Sequence, residues 1–95
     1  MVTPYEDHQI FGTRDWYRIF KQNRINADSP TDDLVWHRDK CDREIRVVHG
    51  NGWKFQSDEC LPIELYEGDK IKIKKGVYHR LIMGNDDLVL KISES

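Results

Sequence analysis

The strongest constraint on the fold is the cadence of the chain. Short apolar or alternating segments are cut by turn signals about every 8–12 residues, which is the spacing of an all-β sandwich or barrel. Trp16-Tyr17-Arg18-Ile19-Phe20 is aromatic and branched, and Leu34-Val35-Trp36-His37 follows a polar loop, Asn26 to Asp33. Arg43 to Val48 places Ile45 and Val47 on one face and Glu44 and Arg46 on the other. Trp53 to Gln56 alternates too, and so does Lys70 to Lys74, with lysines wet and isoleucines dry. Leu81-Ile82-Met83 and the nearly continuous run Leu88 to Ile92 complete the set, the last reading as a strand buried on both sides. The turns fall at His49-Gly50-Asn51-Gly52, Tyr66 to Asp69 and Gly84 to Asp87, with Asn51-Gly52 suited to a tight hairpin. Asp7 to Phe11 and Phe20 to Ile25 are the two stretches with room for a helical turn.

At 95 residues there is room for one domain, read as an N-terminal arm over about 1–15 and a barrel over 16–93. Charged residues are 34% of the chain, yet ten aromatics and a net charge of -2 argue against disorder. Fifteen basic against seventeen acidic residues give nucleic-acid binding no support. No apolar run is long enough to span a membrane, and Met1 to Ile10 does not read as a signal peptide. Cys41 and Cys60 form no CxxC pair and read as reduced thiols. The expectation is a small cytoplasmic protein.

The chemistry concentrates at two places. In His37-Arg38-Asp39, the first and third side chains share a face if the segment is extended. His79 lies between Tyr78 and Arg80, preceded by a glycine turn. Two histidines and one carboxylate are a facial donor set for a divalent metal. The wider spacing is His37-x-Asp39-x(3)-Arg43-x(6)-Gly50, then Gly68-Asp69-x(4)-Lys74-x-Gly76-x(2)-His79. This resembles the two motifs of the cupin superfamily, G-x5-H-x-H-x(3,4)-E-x6-G and G-x5-P-x-G-x2-H-x3-N, over roughly Leu34 to Met83. The resemblance implies a double-stranded β-helix, or jelly-roll barrel, with a divalent metal inside. Iron, manganese, nickel or zinc would be held by His37, Asp39 and His79. It also implies association as a homodimer.

Several motif positions differ. Asp39 stands for the second histidine, Lys74 for the proline, Met83 for the asparagine and Thr31 for the first glycine. The glutamate position falls on Arg43. One residue of slack would admit Glu44, but parity puts Arg43 on the inward face with Ile45 and Val47. A guanidinium cannot ligate a metal, and when buried it needs an anion. Two readings follow. In one, the three donors hold a metal and Arg43 faces a small polar or anionic ligand. In the other, Asp39 and Arg43 pair, and the pocket is a metal-free binding or assembly module. Trp36, Phe55 and Tyr78 are the aromatics expected to line the pocket. Whether the protein is an enzyme is left open, because this barrel serves catalysts and binding modules alike.

Overall fold

A computed structural model describes residues 3–25 and 32–95. The expected polar loop therefore lies outside the described residues as far as Thr31, a motif position. Among the described residues there are eight strands: β1 (Tyr5–Gln9), β2 (Trp16–Phe20), β3 (Arg43–His49), β4 (Lys54–Ser57), β5 (Ile63–Glu64), β6 (Lys70–Ile73), β7 (His79–Ile82) and β8 (Leu88–Glu94). They form two antiparallel sheets, one of five strands in the order β1-β2-β8-β3-β6 and one of three in the order β5-β4-β7. This is the all-β layout anticipated from the turn spacing, in the jelly-roll form that the cupin resemblance implies.

The core lies between the sheets. Ile45 and Val47 of β3, Leu88, Leu90 and Ile92 of β8, and Phe20 of β2 supply it from the larger sheet. Phe55 of β4 and Leu81 of β7 supply it from the smaller. The period of two read in β3 is the period observed: Ile45 and Val47 are buried, Glu44 and Arg46 exposed. Lys70 and Lys72 are exposed on β6, the sheet's outer strand, where lysine deters pairing with another chain.

Four expectations need correction. The N-terminal arm is in part a strand, since β1 closes the other edge of the large sheet. Its charges disguised it. Asp7 is paired in register with Arg18, which grips both carboxylate oxygens at 2.8 and 2.9 Å, while Tyr5 packs on Phe20. Next, β8 is not buried on both faces: Leu88, Leu90 and Ile92 are buried, but Val89, Lys91 and Ser93 are half-exposed. Leu34 to His37 is not a strand. A 3-10 turn covers Asp32–Leu34, and His37 makes an isolated bridge to His79. Finally, Asn51-Gly52 does not close a hairpin, because β3 and β4 belong to different sheets. Gly52 still takes a φ of 79°, so the glycine serves the crossing between sheets.

That crossing is tightly built. Trp53 is fully buried and packs on Phe20, with ring centroids 5.9 Å apart. Its indole Nε1 donates to the Asp86 carbonyl at 2.8 Å, satisfying the one polar atom it carries inside. The Asn51 N–H donates to Asp86 Oδ1, and the Asn85 N–H to the Asn51 carbonyl. Gly84 lies against this backbone. A Cβ there would overlap Trp53 Cδ1, and would lie 2.5 Å from the Asn51 oxygen and the Trp53 nitrogen.

Candidate metal centre

The other end of the strands is polar. There β3 begins with Arg43, β8 ends with Glu94 and β7 begins with His79. The chain before β3 crosses this end and brings in His37 and Asp39. His37 is held to His79 by a reciprocal backbone pair, each N–H donating to the other's carbonyl at 3.0 Å. The Gly76 N–H donates to the Asp39 carbonyl, and the Lys75 N–H to Asp42 Oδ1, tying the same segment to the turn before β7. The 3-10 turn upstream is anchored through Asp33, 3.3 Å from Arg18.

This frame sets the imidazole orientations. His37 Nδ1 lies 2.7 Å from the Val35 carbonyl, and His79 Nδ1 lies 2.8 Å from the Val77 carbonyl. A carbonyl only accepts, so both Nδ1 atoms carry the proton. In the neutral rings that assigns the lone pair to Nε2. Both Nε2 atoms face Asp39: His79 Nε2 is 3.2 Å from Oδ2 and His37 Nε2 is 3.8 Å from Oδ1. The donor atoms of the three residues lie within 4.8 Å of one another. Asp39 Oδ2 is buried and accepts no hydrogen bond.

That arrangement could hold a cation. Two lone-pair nitrogens aimed at a buried carboxylate repel it unless a positive charge sits between them, and a buried unpaired carboxylate oxygen is costly. Two imidazoles and one carboxylate suit a divalent transition metal. Ligands each about 2.0–2.2 Å from one ion lie roughly 3–3.5 Å apart. The two separations to Asp39, 3.2 and 3.8 Å, are close to that range. Both ring orientations are fixed by backbone carbonyls, an outer support common to metal-binding histidines. His79 is 4% exposed, and burial pulls its pKa below the ordinary imidazole value. The bond to Val77 and the Asp39 charge oppose that shift, while His37 and Arg43 add to it. Phe55 stacks on the His79 ring at 5.7 Å.

Beside the donors is a cavity of about 30 Å³, lined by Asp33, His37, Asp39, Arg43, Phe55 and His79 with apolar residues behind. It has room for an ion with about one water-sized ligand. Arg43 stands at its edge with a side chain 20% exposed. The guanidinium Nε donates to Glu94 Oε2 at 2.8 Å, whereas NH1 is 3.6 Å from Asp39 Oδ1. Its carbon lies 5.7 Å from the centre of the Trp16 ring.

Comparison with solved structures settles the architecture. A cupin-2 domain protein from Shewanella frigidimarina superposes with a TM-score of 0.67 at 18% identity, covering 100% of this chain and 85% of that one. A cupin domain from Bordetella pertussis gives 0.60 at 18% identity, covering 100% and 98%. The chain has the cupin fold. A protein from Neisseria meningitidis gives 0.63 at 20% identity, covering 96% and 82%. No family model and no curated protein matches the sequence.

Within the cupin barrel, the residues singled out from sequence divide. His37, Asp39, His79, Arg43 and Phe55 come together. Trp36 and Tyr78 do not line the cavity, which corrects their assignment. They are 43% and 41% exposed, one residue out of phase with His37 and His79, and carry arginines on their faces: Arg80 at 5.0 Å over Trp36 and Arg38 at 4.5 Å over Tyr78. Sequence reading also missed Glu94. Parity along β8 was the available signal, because Leu88, Leu90, Ile92 and residue 94 share the inward face. The register then pairs Glu94 with Arg43.

Proposed function

We propose that the protein is a metal-binding cupin. One divalent transition metal (iron, manganese, nickel or zinc) is held by His37 Nε2, Asp39 and His79 Nε2, and a small polar or anionic ligand takes the open side. The observation that carries this is the convergence of two Nε2 lone pairs on the buried, unsatisfied Asp39 Oδ2. The metal would supply Lewis acidity to an oxygen ligand. The chain's own residues orient the donors through Val35 and Val77, wall one side with the Phe55 ring, and present Arg43 at the edge.

The open side of the donors faces the cavity, with the Arg43 guanidinium at its edge. The cavity admits only the coordinating end of the ligand, so any larger body stays outside, past Arg43. The metal-free alternative rests on the Arg43–Asp39 contact. At 3.6 Å that contact is longer than a hydrogen bond, and Glu94 already neutralises the guanidinium. Both cysteines are free thiols, which supports a reducing compartment such as the cytoplasm.

The test is elemental analysis of untagged protein purified without chelator, beside His79→Ala. About one equivalent of transition metal in the wild type, lost in the variant, is the expected result. No metal in either, after exposure to iron(II), manganese(II), nickel(II) and zinc(II), would overturn the reading.

A further inference from the structure

We infer that Glu94 is a positioning residue for this centre: by holding Arg43 it keeps the guanidinium from hydrogen-bonding Asp39 and leaves Asp39 open to a metal. The inference rests on the metal reading above. Two carboxylates flank one guanidinium at the polar end of the barrel, and it is shared unequally: Nε–H donates to Glu94 Oε2 at 2.8 Å, while NH1 stays 3.6 Å from Asp39 Oδ1, an ion pair beyond hydrogen-bond length. The outcome follows from the sheet. Arg43 and Glu94 are register partners on adjacent strands, so their side chains emerge side by side on the inward face. Asp39 sits on a crossing segment, and its other oxygen is turned toward His79. The Trp16 ring flanks the guanidinium.

Without the Glu94 charge, Arg43 retains a cation in a half-buried place, and the nearest remaining anion is Asp39. The arginine needs to close less than an ångström to make a charge-assisted hydrogen bond there. That bond would take an Asp39 oxygen and place a positive charge beside the metal position. Both effects oppose metal binding. Glu94 thus acts through Arg43 and touches no metal itself.

The experiment is a double-mutant cycle on metal affinity, read by competition with a chromophoric chelator using zinc(II) and manganese(II). Glu94→Gln should raise the zinc Kd at least tenfold. Arg43→Met sets the reference value for a site without the guanidinium. Arg43→Met combined with Glu94→Gln should restore it to the Arg43→Met value, which a merely structural role for Glu94 would not do. An unchanged Kd in Glu94→Gln, or no rescue by Arg43→Met, overturns the inference. A metal-free arm separates its failure from that of the metal reading: the NMR signal of the Arg43 Nε–H. In the Glu94→Gln background Asp39→Asn should move that signal, and in the wild-type background it should not. If the wild type takes no metal, the metal reading fails. The NMR arm then reports on the carboxylate competition alone, and an equal response in both backgrounds overturns that as well.

Discussion

The two ends of the barrel are built on opposite rules. At the Trp53 end, among the described residues, the polar groups around the indole have partners and the glycine turn lies against the ring. The indole Nε1 has the Asp86 carbonyl, the Asn51 N–H has Asp86 Oδ1, and Gly84 cannot accept even a methyl group. At the His79 end a carboxylate oxygen is buried without a hydrogen bond, two lone pairs face it, and a small cavity is left open. The same two sheets make both ends. The difference teaches that the first end holds the fold together, and the second stores unsatisfied polarity for a ligand.

The comparison breaks most readily at the packed end. Trp53→Ala should destabilise the protein by about 3–5 kcal/mol, the range for losing a fully buried large aromatic, and Gly84→Ala should be comparably damaging because its Cβ has no space. Urea unfolding measures both. A loss below 1 kcal/mol for either would show that this end is not the anchor. At the polar end the sign should reverse. Asp39→Asn removes a buried charge and adds an amide donor facing His79 Nε2. The metal-free variant should be as stable as wild type or more so, by about 1 kcal/mol, yet take up no metal. Destabilisation of metal-free Asp39→Asn by more than 1 kcal/mol would erase the contrast.

A smaller effect tests the support of the centre. Arg18 ties β2 to Asp7 and to Asp33 on the 3-10 turn that precedes His37. Arg18→Met should weaken metal affinity several-fold, with a stability loss of about 1–2 kcal/mol from its severed charged hydrogen bonds. Unchanged affinity would show that His37 is placed without that brace. The smallest effect is in pH. Burial lowers the His79 pKa, so the unfolded chain binds a proton that the folded chain resists. The stability of metal-free protein should therefore be full above the ordinary imidazole value, near 6.5, and decline as pH falls below it. His79→Gln should flatten that decline in urea titrations between pH 7.5 and 5.5, and equal slopes would remove His79 as the cause.

Much of this was legible in the chain because β-structure alternates. Ile45 and Val47 against Glu44 and Arg46, and Lys70 and Lys72 against Ile71 and Ile73, announce their faces with a period of two. The pairing of His37 and Asp39 with His79 came from motif spacing, which carries information across forty residues that local patterning lacks. What stayed hidden depended on long-range register. Tyr5 to Gln9 reads as a charged arm until Asp7 is placed opposite Arg18. Glu94 reads as a surface acid until β8 is laid beside β3. Trp36 and Tyr78 stand next to His37 and His79 in sequence, and adjacency on an extended chain means the opposite face.

The reciprocal backbone bridge between His37 and His79 has a kinetic consequence. Two of the three donors ride on a segment that crosses the barrel mouth without being part of either sheet, and that bridge is what clasps it to β7. A metal bound there would be a rivet through the clasp, shared between the segment and the sheet. Its dissociation would have to wait for the crossing segment to lift. Metal exchange and amide exchange at the His37 and His79 N–H groups would then share one clock, set by how often the mouth of the barrel unlatches.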